Sequence, residues 1–222
     1  MKITKSFATI CFDKITNLIL QGTLKPGEKL KGEYLKQELR TGLSPIREAL
    51  FKLINTGLVE FKDNAGFNVT TLSKEKVQDI FKSHAKIECL LLRDSIENAD
   101  DIWESKIIAS LYTLAKIERT KHAIDYNLWS PKNEEFHNTL ISGCKLNTLI
   151  EMRDKCLQMK EWCINLSLKN AKTTILVDHT EHALIAELAI NKKTELCCSK
   201  LYQHLTMGID ITIQNLRQNN FF

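Results

Sequence analysis

The chain has 222 residues, of which 43% are hydrophobic and 26% are charged, and its formal net charge is +4. This composition is typical of a soluble globular protein that is long enough for one large domain or two modest ones. It excludes a membrane-spanning protein, because no apolar run approaches the roughly 20 residues that a transmembrane helix needs. The first residues lack the features of a signal peptide. Seven Cys without a CxxC pair predict free thiols, so we expect a cytoplasmic protein.

The excess positive charge lies in the first third of the chain. Residues 1–73 carry 11 Lys and Arg against 7 Asp and Glu, whereas residues 74–222 carry 20 of each. A basic segment beside a neutral one indicates an anionic partner for the N-terminal part.

Two helices are predicted first. Apolar residues recur at helical spacing over residues 13–22, and the pattern ends at Gly22. A Pro-Gly turn follows, and residues 32–41 predict a second, short helix with Leu35 and Leu39 on one face.

The segment "GLSPIREALFKLINTG" predicts the third helix. Ser44 fits the N-cap, Pro45 the first helical position, and Gly57 the C-terminal cap. Two short strands, 58–62 and 67–71, follow around the turn sequence Asp-Asn-Ala-Gly. The order helix, helix, turn, helix, hairpin is that of a winged helix-turn-helix, whose third helix enters the major groove of double-stranded DNA.

Everything after Ser73 has helical periodicity, and the last predicted helix covers residues 193–217. We therefore predict a mostly α protein with two domains. Residues 1–73 form the winged helix-turn-helix, with three helices and a small β-hairpin, and residues 74–222 form an all-α bundle for effector binding and dimerisation.

These segments resemble the GntR family of bacterial transcription regulators, in its FadR-like branch with an FCD-type effector domain. "ILQGTLKPGEKL", "SPIREALFKLINTGLVE" and "GFNVTTL" are similar to the winged domain. "NEEFHNTLISGCKLNTLI" and "DHTEHALIAELAINKKTELCCSKLYQHL" are similar to the FCD domain. The resemblance covers about residues 10 to 207, and it implies a homodimeric DNA-binding regulator that responds to a small metabolite.

The predicted DNA contacts centre on the first turn of the third helix. The family often has Ser-Arg-Thr-Pro where this chain has Gly-Leu-Ser-Pro, so Leu43 replaces an Arg and only Arg47 of the usual pair remains. An Arg can bind guanine through two hydrogen bonds, whereas Leu can only contact a thymine methyl, so we expect a different base preference. The alternative for each Lys is a solvated surface residue, and Arg47 could instead be structural. The full predicted set is Lys36, Arg40, Leu43, Ser44, Arg47, Lys52 and, in the wing, Gly66.

Three His and one amide predict a metal site in the second domain. Asn133 and His137 are four residues apart and share one helical face, while His182 and His204 lie on later helices. In FCD domains the corresponding pattern, usually with Asp at the first position, implies these four residues as ligands. We expect a divalent transition metal, with zinc as the first choice and nickel or manganese as alternatives. Glu134 is the second candidate for the oxygen ligand.

His84 is the predicted effector contact. The family often has Arg at this position, where it helps to bind an effector carboxylate, and Glu88 follows four residues later here. Histidine has a shorter reach and titrates near neutral pH. His84 could equally be a packing residue.

The sequence argues against an enzyme, since it has no HExxH, GxSxG or Walker-type loop. We therefore predict a regulator, by family habit a repressor, that senses a small carboxylate through a metal-containing pocket. The alternative is a DNA-binding regulator whose helical domain only dimerises, with no functional metal or effector site.

Overall fold

The structure, a computed structural model, describes residues 5–119, 124–169, 174–175 and 179–222. It divides into two compact units. Unit 1 comprises Met1–Ile80, Lys155–Asn170 and Ile209–Phe222, and unit 2 comprises Phe81–Asp154 and Ala171–Gly208. None of the described helices combines the length and apolarity needed to cross a membrane.

The first elements of unit 1 follow the predicted order. They are α1 (Phe7–Leu20), α2 (Gly32–Leu39), α3 (Leu43–Thr56), β1 (Val59–Lys62) and β2 (Gly66–Val69). The strands pair antiparallel, with Val59 opposite Val69 and Lys62 opposite Gly66. A winged helix-turn-helix is thus confirmed in the fold.

Helix α3 begins one residue before the predicted N-cap. Gly42 is the N-cap, with an extended backbone, and Ser44 is the second helical residue, so the prediction of Ser44 as N-cap is wrong. The first N–H groups of a helix have no partner within it, so Pro45 is tolerated at the third position. The sequence pattern therefore could not distinguish between neighbouring start sites. At the other end, Gly57 is the left-handed C-cap with φ of 81°, as predicted.

Two later helices complete unit 1. They are the second part of α7 (Asn147–Leu168) and α10 (Ile209–Gln218). The indole Nε1 of Trp162, a fully buried side chain, donates to the carbonyl oxygen of Ile19 at 3.1 Å. Lys169 Nζ donates to the carbonyl oxygen of Gly22 at 2.9 Å. These bonds attach the end of α7 to the end of α1 inside unit 1.

Unit 2 is built from helices around one apolar core. It holds most of α4 (Lys74–Glu97), the start of α7, and α5 (Asp101–Glu118), α6 (Tyr126–Leu140), α8 (His179–Ile190) and α9 (Thr194–Thr206). Trp103 Nε1 donates to the carbonyl oxygen of Leu140 at 3.3 Å, which links α5 to α6. The largest fully buried side chain of this core is Phe136.

Two details of the helical part differ from the sequence prediction. The helix predicted over 193–217 is two helices, α9 and α10, separated at Met207 and Gly208. Glycine lowers helix propensity by about 1 kcal/mol relative to alanine, so a break at this position is inexpensive. A two-residue antiparallel pairing also joins β3 (Ile124–Asp125) and β4 (Thr174–Ile175), which is too short to leave a strand signal.

Candidate metal centre and nucleic-acid interface

Three histidines from three different helices of unit 2 come together. His137 lies on α6, His182 on α8 and His204 on α9, and one ring nitrogen of each lies within 4.8 Å of the others. The ring centroids of His182 and His204 are 4.5 Å apart, and those of His137 and His204 are 5.3 Å apart. His182 is fully buried and His137 nearly so. Such a group could hold a metal ion.

The donor set fits a divalent transition metal. In a tetrahedral zinc site the ligand nitrogens lie about 3.3 Å apart, so binding requires side-chain movements of about 1.5 Å or less. Asn133 lies one turn before His137 on α6, and its Oδ1 is buried with no donor among the described residues. Nε2 of His182 likewise has no hydrogen-bond partner among them. Unused buried acceptors are rare in proteins, and a cation would satisfy these two.

Glu118, at the end of α5, contacts one of the three histidines through its carboxylate. One of its oxygens, Oε1, lies 2.9 Å from His182 Nδ1 and accepts a bond of 2.8 Å from Trp129 Nε1. The other, Oε2, lies 3.2 Å from His179 Nδ1. Sequence reasoning missed Glu118, because it lies 64 residues before His182 and no local pattern links the two.

The hydrogen bonds determine which ring nitrogens can bind a metal. Nδ1 of His182 lies 2.9 Å from Glu118 Oε1, and because a carboxylate can only accept, this contact favours the tautomer with its proton on Nδ1 and the Nε2 lone pair available. Nδ1 of His204 lies 3.0 Å from Glu181 Oε2, so this contact likewise favours a proton on Nδ1. A carboxylate behind each of two histidines is the usual way in which proteins orient metal ligands.

The pKa of Glu118 lies below its usual value despite burial. Burial acts to raise the pKa, but hydrogen bonds from His182, Trp129 and His179 outweigh it. The carboxylate is therefore charged in the folded protein at neutral pH.

Glu134, the second candidate for the oxygen ligand, lies elsewhere. It lines a surface groove of unit 2 together with Pro131 on its own helix and Lys106 on α5. The group of potential metal ligands among the described residues consists of the three histidines and does not include it.

His84 belongs to a buried charged group. Its Nε2 lies 3.2 Å from Glu88 Oε1, and the same oxygen accepts a bond of 2.6 Å from Nε of Arg153. All three side chains are at most 5% exposed. Burial acts to raise the pKa of Glu88, but His84 and Arg153 together hold it below its usual value. Sequence reasoning missed Arg153, which α7 brings beside α4.

The predicted DNA contacts all belong to unit 1, and those on α2 and α3 are exposed. Arg47, Ser44 and Leu43 occupy the first turns of α3, all exposed, with 46% of the Leu43 side chain accessible. Lys36 and Arg40 line a concavity beside Gly42 at the start of α3. Lys52 is one turn past Glu48 and pairs with it at 2.7 Å, so this cation is already partly engaged.

Two backbone features shape this surface. Arg40 ends α2 in the left-handed region, with φ of 50°, a conformation that costs a residue with a side chain about 1–2 kcal/mol. In the wing, Asn64 and Gly66 also have positive φ values, of 64° and 79°. A Cβ at Gly66 would meet nothing within 4 Å, so the wing tip is open.

A winged helix-turn-helix followed by an all-helical domain defines a class of DNA-binding transcription regulators. Residues 10–69 match the family described as "Bacterial regulatory proteins, gntR family", and residues 79–207 match the FCD domain. The chain belongs to the GntR family of transcription regulators, in the FadR-like branch that carries an FCD domain. It is a regulator and not an enzyme, as predicted.

Relatives of the chain are also named as transcription regulators. The chain is 26% identical over 211 residues to the HTH-type transcriptional repressor GlaR of Escherichia coli (strain K12), covering 92% of this chain and 95% of GlaR. It is 28% identical over 214 residues to the HTH-type transcriptional regulator BphR of Paraburkholderia xenovorans (strain LB400), covering 95% and 86%. The solved structure of E. coli McbR/YncC matches with a TM-score of 0.70 over 95% of this chain and 99% of that one, at 18% identity, and so shares the fold.

Proposed function

We propose that this regulator senses a small carboxylate through a metal ion held in unit 2. The observation that carries the proposal is the convergence of His137, His182 and His204, with ring nitrogens within 4.8 Å of one another. The buried, unsatisfied Oδ1 of Asn133 supports a fourth ligand on the same helix as His137. Three imidazole nitrogens and one amide oxygen favour a metal ion of intermediate softness. Zinc is therefore the first choice, with nickel next and manganese as a further alternative.

A bound metal would act as a Lewis acid that attracts and orients an anionic effector. The residues of the chain contribute the rest. Glu118 and Glu181 orient two of the histidines, and the aromatic rings of Phe136 and Trp129, whose centroids lie 5.4 and 6.4 Å from that of His182, exclude water. We assign His84 to the effector contact in this proposal, since it is buried, polar and next to the buried guanidinium of Arg153.

The proposed DNA-bound form is a homodimer with two recognition helices in successive major grooves of a short pseudo-palindrome. Arg47, Ser44 and Leu43 would face the bases. Lys36, Arg40, Lys52 and the wing at Gly66 would face the phosphate backbone. We propose repression as the outcome, following GlaR, which is named as a repressor, and the cytoplasm as the location.

The proposed effect of the effector on DNA binding follows from linkage. A ligand that binds two states of the protein with different affinity shifts the balance between them, and DNA affinity changes by the same coupling free energy. Helices α4 and α7 each carry residues of both units and are the elements through which such a shift would pass.

The test measures the metal content and DNA affinity of the purified native protein. The control is the triple variant in which His137, His182 and His204 are changed to Ala. We expect about one zinc or nickel per chain in the native protein, none in the variant, and a DNA affinity that depends on carboxylates only in the native protein. Equal metal content and an equal carboxylate response in both proteins would refute the site. No metal in either would favour the alternative, a helical domain that only dimerises.

A further inference from the structure

A metal ion at the three histidines would lack charge compensation from its direct ligands. His137, His182, His204 and Asn133 are all neutral donors. The surroundings are buried, since His182 is fully inaccessible and Phe136 packs against it. An uncompensated dication in such surroundings is costly, so a buried site of this kind needs a nearby negative charge.

Glu118 and Glu181 are carboxylates within the described residues that contact these histidines, and Glu118 is the buried one of the two. Glu118 contacts Nδ1 of His182, and both side chains are 0% exposed. Glu181 contacts Nδ1 of His204, but 38% of its side chain is exposed, so water screens its charge. Each carboxylate is therefore placed to orient a histidine through its Nδ1. The buried charge of Glu118 acts more strongly on the site than the water-screened charge of Glu181.

We propose that Glu118 is the positioning residue that supplies the negative charge of this metal site. It acts through His182: its Oε1 accepts from the Nδ1–H group, which leaves Nε2 for the metal. The inference rests on the proposed metal function and adds a residue that no direct-ligand pattern includes. With Glu118 charged, the site with a bound dication carries +1, which suits an effector with a single carboxylate.

The neighbouring side chains hold the Glu118 carboxylate in one orientation. Trp129 Nε1 donates to the oxygen that His182 also uses, and His179 Nδ1 faces the other oxygen. Arg119 Nη2 lies 3.0 Å from His179 Nε2, and because arginine can only donate, this contact puts the His179 proton on Nδ1, toward Glu118. Four side chains thus keep a single carboxylate aimed at one metal ligand.

The experiment compares the zinc dissociation constants of three single variants by competition with a chromophoric chelator. Glu118→Gln keeps an acceptor oxygen for His182 but removes the buried charge, and we expect it to weaken zinc binding 10- to 100-fold. Glu181→Gln makes the same change at the exposed carboxylate and is expected to weaken binding by several-fold less. Glu187→Gln, on the exposed side of α8, is the control and should match the native protein.

The outcomes separate this inference from the function on which it rests. If Glu118→Gln binds zinc as tightly as the native protein, or if Glu118→Gln and Glu181→Gln lose the same factor in zinc affinity, the charge role of Glu118 is overturned. The metal site itself would still stand. Failure of the native protein itself to bind zinc or nickel would overturn the proposed function first.

A double variant and a measurement on the native protein keep the proposal testable even if Glu118→Gln misfolds. Adding Asn133→Asp to Glu118→Gln returns a carboxylate to the site, and zinc affinity should recover by a larger factor than the same change adds to the native protein. Equal factors would contradict charge compensation. In the zinc-loaded native protein, ¹⁵N spectra of the imidazoles should show Nδ1 protonated and Nε2 bound in His182. Zinc on Nδ1 would overturn the proposal without any variant.

Discussion

Glu88 and Glu118 are both buried carboxylates of unit 2, but their partners differ. Glu88 meets a permanent cation, since Arg153 Nε lies 2.6 Å from its Oε1. Glu118 meets the N–H groups of His179, His182 and Trp129. In the first arrangement a guanidinium offsets the buried charge, whereas among the described residues the second leaves His182 Nε2 unused. At the residue scale, Glu88 therefore binds an internal cation, while Glu118 contacts a histidine that still has a ring nitrogen available for a ligand.

Removing one partner of the buried ion pair should strongly destabilise the protein. Glu88→Gln leaves the buried guanidinium of Arg153 with the largely exposed carboxylate of Asp154, at 3.2 Å, as its remaining counterion among the described residues, and we expect a loss of about 3–5 kcal/mol in the free energy of unfolding. The double variant Glu88→Leu with Arg153→Met removes both charges and should be closer to the native protein. Urea denaturation of the metal-free proteins measures both. A single variant that costs less than about 1 kcal/mol would contradict a buried pair.

The same pair should make stability depend on pH in the acid range. The pKa of Glu88 is lowered from 4.5 by its neighbours His84 and Arg153, so the unfolded chain takes up a proton first as the pH falls. The contribution of the pair is complete above about pH 4.5 and disappears as the pH falls through the lower folded value. The deficit of Glu88→Gln relative to the native protein should thus shrink below pH 4.5 in a urea series. An unchanged deficit at pH 3 would contradict this cause.

At the scale of elements, the turn between α2 and α3 holds Arg40 in a strained backbone conformation at the predicted DNA-binding surface. Arg40 has φ of 50°, which glycine adopts at little cost. Arg40→Gly should therefore raise the free energy of unfolding by up to about 1 kcal/mol and yet weaken DNA binding, with the salt dependence reduced by about one phosphate contact. Arg40→Lys is the matched control and should keep both properties. Undiminished DNA binding by Arg40→Gly would remove this residue from the interface.

The end of α3 should be less tolerant than the wing. Gly57 and Gly66 both have φ near 80°, so a Cβ strains both backbones alike. A Cβ at Gly57 would also lie 2.7 Å from Met159 Sδ, whereas at Gly66 it would meet nothing. Gly57→Ala should thus cost about 1–3 kcal/mol more than Gly66→Ala in thermal or urea unfolding. Equal costs would mean that the Met159 side chain moves away freely.

Local elements could be predicted from the sequence because their signals are local. Apolar periodicity and the Gly57 cap predicted helix α3, and the turn sequence between two short strands predicted the hairpin. The spacing of Asn133 and His137 placed both on one helical face. The start of α3 was off by two residues, because several first-turn positions accept Pro45. Glu118 and Arg153 could not be predicted, since each depends on which faces of distant helices meet. The same holds for the division into units, where the second part of α7 and α10 group with unit 1.

At the scale of the whole molecule, the family assignment and the fold agree on a DNA-binding winged helix-turn-helix followed by a helical FCD domain. The GntR match ends at residue 69 and the FCD match begins at residue 79. The domain boundary at residue 73 stays a prediction between these limits. Regulation by a metal and an effector would require specific DNA reading by α3, because they can only regulate what that helix recognises.

The most direct test selects fragmented genomic DNA on the purified protein at moderate salt and sequences what is retained. We predict enrichment of a short inverted repeat by the native protein. Arg47→Ala should lose affinity for that repeat by about 1–3 kcal/mol, whereas Lys14→Ala, a change of an exposed cation on α1, should not. Retention without enrichment, or full binding of the repeat by Arg47→Ala, would contradict the account.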